Sequence, residues 1–322
     1  MKKFFIKICK LFGFEIIDQN KFISPTLNKE LNEDLSFFNK KSIVLPLGEV
    51  KVTRNVSSIL IIIRVNTEIE VWDQNKKRLF EHPKIDYSMR SINSLIKSIE
   101  FCKKKYLNLD IRTIIVDDHS KKENLEKIKK LIDGKKIEIT HLDYKKFETK
   151  IKKQKNKETF SNLASLYQSF EIGKNEGKDL IFFIEDDYIH SQPMLDEMIS
   201  TYERVSSQLG KDFFMCPTDY PFFYMNNHKT NILIGSKRHW RTIDKTLCTF
   251  LTSKKLLDNY WENFSKSCVD RHDPFEKYIN EIYEKEICIS PIKSLSLHLT
   301  NINSSYGLSP FVDYKRLWDE NK

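Results

Sequence analysis

Glu185, Asp186 and Asp187 are three consecutive carboxylates that follow the apolar run 180–184, Leu-Ile-Phe-Phe-Ile. An unpaired carboxylate costs far more to desolvate than its burial returns, so these acids must leave the core where the apolar run ends. Clustered carboxylates on a rigid support suit a hard divalent cation that also holds a phosphate. The support is the run itself, which reads as a strand buried on both faces, as in a parallel sheet. Open α/β sheets bind ligands in the crevice at the carboxyl ends of such strands. A second acidic turn, Asp117-Asp118-His119-Ser120, closes another β-prone run at 111–116. The chemistry implied is that of a metal and a nucleotide.

The surrounding elements alternate regularly. Residues 57–63 form a β-prone run, and 88–104 carry Ile92, Leu95, Ile96 and Ile99 at helical spacing. After the 111–116 strand, Ser120 and Glu123 have capping-box spacing ahead of a helix with Leu125, Ile128, Leu131 and Ile132 on one face. A short strand at 136–140 and a solvated Lys-rich loop at 145–157 lead to a helix at 162–173, the carboxylate-tipped strand and a helix at 194–208. This spacing predicts βαβ units, and right-handed crossovers bring both acidic turns to one edge of the sheet. Beyond residue 210 the alternation weakens into β runs at 212–216, 247–252 and 287–289 and a helix near 273–284.

The chain has 322 residues and a net charge of +9, with 54 Lys plus Arg against 45 Asp plus Glu. That excess favours anionic partners. The basic residues are scattered lysines rather than an arginine stripe, which argues against nucleic acid. Cys9, Cys102, Cys216, Cys248, Cys268 and Cys288 show no Cys-x-x-Cys pairing and read as reduced, mostly buried thiols of a cytosolic protein. No stretch reaches the roughly 20 apolar residues that span a bilayer. Residues 1–14 do form a basic amphipathic pattern, with Phe4, Ile8 and Leu11 beside Phe5 and Phe12, and Lys3, Lys7 and Lys10 opposite. Such a helix either lies in the headgroup layer of an anionic leaflet or docks on the protein's own core.

With the strand at 59–64, the Ile115-Val116-Asp117-Asp118-His119-Ser120 turn and the 162–187 stretch ending in Glu185-Asp186-Asp187, the chain resembles the GT-A-fold glycosyltransferases, especially bacterial family 2-like enzymes. The match covers roughly residues 57–200 and rests on two acid turns in the right order, about seventy residues apart. The sequence departs from the family pattern in three places. His119 stands where glycine is usual, residues 66–87 look like an insertion, and the metal turn reads Glu-Asp-Asp instead of Asp-x-Asp. The resemblance implies an α/β GT-A fold: a Rossmann-like, mostly parallel central sheet with flanking helices, plus a smaller mixed acceptor-side region. It divides the chain into an N-terminal extension (1–55), a nucleotide-sugar-binding half (56–210) and an acceptor-side half (211–322).

It also implies roles for individual residues. Asp187 holds Mn²⁺ or Mg²⁺ bridging the diphosphate of a nucleotide-sugar donor, with His298 as a further ligand, although a lone histidine in an apolar run is more often a satisfied core residue. Asp186 and Glu185 contact the sugar or ribose. Asp117 or Asp118 accepts hydrogen bonds from the base or ribose, with Arg64 and Asn162 as neighbours. Asp273 is the general base for an inverting transfer, or the N-cap of the helix that follows, and Asp219 is its rival as base. His239, Trp240 and Arg241 offer a sugar-stacking ring and a diphosphate contact. The acceptor implied is a glycan or lipid-linked molecule of cell-surface polysaccharide synthesis, at the inner face of the cytoplasmic membrane. Two other readings stand beside this one. A sugar-phosphate nucleotidyltransferase normally has a Gly-rich loop after its first strand, whereas Arg64-Val-Asn-Thr-Glu68 contains no glycine. A degenerate transferase fold could instead serve as a binding scaffold.

Overall fold

The computed structural model of the protein describes residues 2–14, 41–44, 48–68, 78–225, 229–300 and 304–322. Most of the expected N-terminal extension and part of the expected insertion at 66–87 lie outside the described residues. In chain order the first half comprises α1 (Lys2–Leu11), β1 (Lys41–Val44), β2 (Gly48–Lys51), β3 (Ser58–Val65), α2 (Lys84–Lys103), β4 (Asp110–Asp117), α3 (Lys122–Ile132), β5 (Ile137–His141), α4 (Lys157–Glu176), β6 (Leu180–Glu185), β7 (Tyr188–His190) and α5 (Met194–Leu209). The second half comprises β8 (Phe214–Met215), α6 (Phe222–Met225), β9 (Ile232–Ile234), β10 (His239–Ile243), β11 (Phe250–Ser253), α7 (Lys254–Asn259), α8 (Trp261–Val269), α9 (Lys277–Tyr283), β12 (Cys288–Pro291), β13 (Ser296–His298) and α10 (Tyr314–Asp319).

A nine-stranded sheet runs in the order β5-β4-β3-β6-β11-β8-β12-β10-β9. The four strands β5, β4, β3 and β6 are mutually parallel. From β11 onward antiparallel pairings enter. The α/β class with a parallel sheet and a mixed second region is therefore the one the sequence implied. β3 shows how composition sets this. Its run Ser-Ile-Leu-Ile-Ile-Ile-Arg-Val is buried at every position, and β-branched residues fit a pleated surface. Alternate side chains feed two cores. Ile59, Ile61 and Ile63 pack with α2, α3 and α5, while Leu60 and Ile62 pack with α4, α7, α8 and α9. Each fully buried aliphatic side chain of this kind contributes roughly 1.5–3 kcal/mol. Between α4 and β6 the layers touch so closely that a Cβ on Gly173 would meet Phe183 Cζ at 2.8 Å.

β7 and β13 form a separate antiparallel ladder that pairs Tyr188 with His298. That ladder returns the late chain to the carboxyl end of β6. Its effect is to set His298 against the acid turn.

Several local expectations are corrected. Within 15–55, which reads from the sequence as having little regular structure, Lys41–Val44 and Gly48–Lys51 pair as the antiparallel strands β1 and β2. Ser120 does not cap α3, whose N-cap is Lys121 with no side-chain bond; the Ser120 hydroxyl instead accepts from Thr67 N–H at 3.3 Å. The Lys-rich loop is partly anchored, because Phe147 and Ile151 are buried and Lys146 and Lys150 both pair with Glu171. α9 begins at Lys277 with Glu276 as N-cap, so Asp273 does not cap it; Phe275, in the turn before the helix, packs against the core that α4 and α8 also feed. Trp240 is fully buried and its indole N–H faces Glu197 at 3.4 Å, so it has no free ring face for a sugar.

Candidate active site

The carboxyl ends of β3, β4 and β6 lie side by side, and register places Arg64 of β3 next to Glu185 of β6. The pair forms a 2.6 Å salt bridge. The same guanidinium donates to Asn162 Oδ1 at 2.8 Å and to Ser165 Oγ at 3.2 Å on α4. Glu185 N–H donates to Thr249 Oγ1 at 3.1 Å. Burial raises the Glu185 carboxyl against the lowering influence of Arg64. Arg64, Asn162 and Glu185, all expected site residues, thus form one hydrogen-bonded network at the strand ends.

Asp186 turns the other way. It accepts from Lys84 Nζ at 2.6 Å, from the Ser88 hydroxyl and from Asn66 N–H at 3.3 Å. The ion pair with Lys84 is nearly enclosed, with side-chain exposures of 11% and 10%. Asp186 therefore ties the acid turn to the start of α2.

Asp187 is placed differently again. Its Oδ2 lies 3.3 Å from His298 Nε2, while its Oδ1 is buried with no hydrogen-bond partner. The His298 ring stacks on Tyr188 at 4.6 Å with 5° between planes. His298 Nδ1 sits 2.8 Å from the Tyr306 carbonyl. A carbonyl only accepts, so Nδ1 carries a proton, and Nε2 is the atom presented to Asp187. Burial works against charge on both partners, but each overrides it for the other: the Asp187 carboxyl is lowered beside His298, and the imidazole is raised beside Asp187.

At the end of β4 both acids have a protein partner at each oxygen. Asp117 accepts from Ser120 N–H at 3.2 Å and faces His141 Nδ1 at 2.9 Å. Asp118 accepts from Asn66 Nδ2 at 3.0 Å, from the Tyr144 hydroxyl at 2.5 Å and from the Ser161 hydroxyl. His119 adopts a left-handed backbone, φ 56°, and its half-exposed ring stacks on Tyr144 at 4.3 Å. A non-glycine residue is uncommon there, though histidine is among those that tolerate it.

Of the residues expected to act as base, Asp219 is buried and engaged by Arg241 and by the Tyr224 hydroxyl at 2.6 Å. Asp273 is exposed in the turn before α9. Sequence reasoning missed Glu276. Its Oε1 lies 3.9 Å from Cys248 Sγ, and the neighbouring Thr249 holds Glu185. Its carboxylate makes no cap bond to α9. Enclosure and the nearby Glu185 push this carboxyl up to about 7, with His298 and Arg64 opposing. In sequence Glu276 falls three residues after Asp273, at capping-box spacing, which offers it a structural role. Among the described residues there is no group of three or more His, Cys, Asp or Glu that could alone hold a metal ion.

No protein-family model matches the chain, and no curated protein sequence matches it. Solved structures match parts of the chain at low similarity. A structure of TarS from S. aureus is 13% identical over 66% of this chain and 55% of that chain, with a TM-score of 0.38, so the chain spans little more than half its length. The galactosyltransferase LgtC, in complex with donor and acceptor sugar analogues, is 10% identical over 70% of each chain, TM-score 0.38. The inositol-1-phosphate CTP transferase from T. maritima is 12% identical over 83% of this chain and 97% of that one, TM-score 0.42.

Proposed function

We propose that the protein is a metal-dependent glycosyltransferase that moves a sugar from a nucleotide-diphosphate donor to a glycan or lipid-linked acceptor in cell-surface polysaccharide synthesis. The observation that carries this reading is the Asp187–His298 pair. A buried carboxylate oxygen without a partner is costly, and Asp187 Oδ1 is one. An imidazole whose Nδ1–H is fixed by a carbonyl is the usual outer-shell arrangement of a metal-binding histidine. Two protein ligands suffice for Mn²⁺ or Mg²⁺ where substrate phosphates and water complete the octahedron. Asp187 and His298 would hold the ion, which when bound neutralises the charge that develops on the departing diphosphate.

The other residues act directly. The Arg64–Glu185–Asn162 network presents a fixed carboxylate edge to the sugar or ribose. Asp117 and Asp118, through His141, His119 and Tyr144, shape the side of the crevice suited to the base. An inverting transfer needs a base to take the acceptor hydroxyl proton opposite the leaving group. Glu276 suits that task better than Asp273 or Asp219. A carboxyl titrating at about 7 is matched to proton abstraction near neutrality, whereas Asp219 is engaged at both oxygens and Asp273 faces solvent.

The test is release of nucleoside diphosphate from UDP-, GDP- and CDP-activated sugars, with Mn²⁺ and with chelator. Turnover of one donor class, abolished by chelator, is the expected result. Pyrophosphate release from a nucleoside triphosphate plus a sugar phosphate would instead establish a nucleotidyltransferase. Binding without turnover of any kind would establish the scaffold.

A further inference from the structure

We infer that residues 2–14 dock the protein on an anionic lipid surface through the exposed apolar side of α1. This goes beyond the proposed reaction and does not depend on it. The first fourteen residues contain Lys2, Lys3, Lys7 and Lys10 and no acid. Lys2–Leu11 is helical. Phe4, Phe5, Leu11, Phe12 and Phe14 are 70%, 60%, 84%, 74% and 70% exposed. Elsewhere among the described residues, large exposed apolar side chains are spread singly or in pairs, as at Leu107, Leu209, Tyr224–Met225, Ile232 and Phe311. Five within eleven positions, four of them phenylalanines, form a patch that is exposed among the described residues.

Charge decides among occupants. A second copy of this segment would set four lysines against four lysines, and the chain as a whole carries +9. An anionic leaflet offers the complementary charge to each lysine near the surface. Phenylalanine rings gain by entering the boundary between headgroups and acyl chains. No described helix is long and apolar enough to cross a membrane, so the contact is an interfacial one. The leaflet that fits is the phosphatidylglycerol- or phosphatidylserine-type cytoplasmic face.

The experiment is co-sedimentation of the full chain with vesicles of phosphatidylcholine alone and with vesicles enriched in phosphatidylglycerol. Binding should require the anionic lipid and weaken as salt rises. Lys7→Glu/Lys10→Glu should lower the partition coefficient at least about tenfold. Phe5→Ser/Leu11→Ser/Phe12→Ser should abolish binding. Both variants should melt like wild type and keep wild-type nucleotide binding, which separates this result from failure of the active-site reading. Equal partitioning of wild type and variants, binding to neutral vesicles alone, or no vesicle binding would overturn the inference. So would concentration-dependent dimers, lost in the Phe/Leu variant, in a protein that ignores vesicles.

Discussion

The carboxyl ends of β4 and β6 carry acid turns that look alike in sequence and are put to different use. Asp117 and Asp118 are 1% and 4% exposed, and protein groups engage both carboxylates. Asp187 keeps 30% of its side chain open and one oxygen without a partner. A buried acid whose lone pairs are filled by donors holds structure together. One left short of donors has capacity for a cation or a proton. Position on a strand end therefore identifies candidates, and saturation distinguishes the binding group from its support.

The largest effect should come from the open side. Glu276→Gln should lower kcat by about 10²–10⁴ with nucleotide affinity nearly unchanged. It should also remove the acid limb of the kcat/KM profile near pH 7, because the base works only once deprotonated and activity rises with pH through that value. Asp273→Asn should stay within about threefold of wild type. If Asp273→Asn loses turnover while Glu276→Gln keeps it, the base is Asp273. The saturated side should respond in stability. Asp118→Ala strands the Tyr144, Ser161 and Asn66 donors and should cost about 2–4 kcal/mol in a denaturant melt. A change below about 0.5 kcal/mol would show that Asp118 is not the keystone its contacts suggest.

The smallest effect lies away from both turns, at Glu203, which accepts from Val56 N–H at 2.8 Å. Burial pushes its carboxyl up to about 7 from an ordinary 4.5. Between those values the folded chain keeps a proton that the unfolded chain has released, so stability present below 4.5 is lost as pH rises through about 7. Glu203→Gln retains an acceptor for Val56. It should raise Tm by a few degrees at about pH 8, on the order of 1–2 kcal/mol, with no gain near pH 4. A pH-independent difference would show that charge is not the cause.

The parallel core was legible because its strands are continuous apolar runs and its helices keep one apolar face. The limits of α5, for example, fall within a residue of the expected 194–208. The sequence sets Arg64 and Asn162 beside Asp117 or Asp118; parallel register sets Arg64 against Glu185 instead, and its guanidinium takes Asn162 of α4 with it. What sequence could not show was which acids find donors. Lys84 reaches Asp186 across 102 positions, and Tyr144 reaches Asp118 across 26. Glu276 stayed hidden because its environment is built by Cys248 and Glu185 from distant segments. Trp240 misled because an aromatic beside His and Arg resembles a sugar platform until a buried partner, here Glu197, accounts for its indole N–H.

The central claim is that Asp187 and His298 hold a cation with the donor diphosphate. The most direct measurement is calorimetric titration of UDP, GDP, CDP and CMP into wild type and Asp187→Asn, with and without Mn²⁺. One diphosphate should bind wild type only with Mn²⁺, and the variant should lose at least about a hundredfold, roughly 2.7 kcal/mol. Binding that is equal in both proteins, or indifferent to Mn²⁺, would contradict the account.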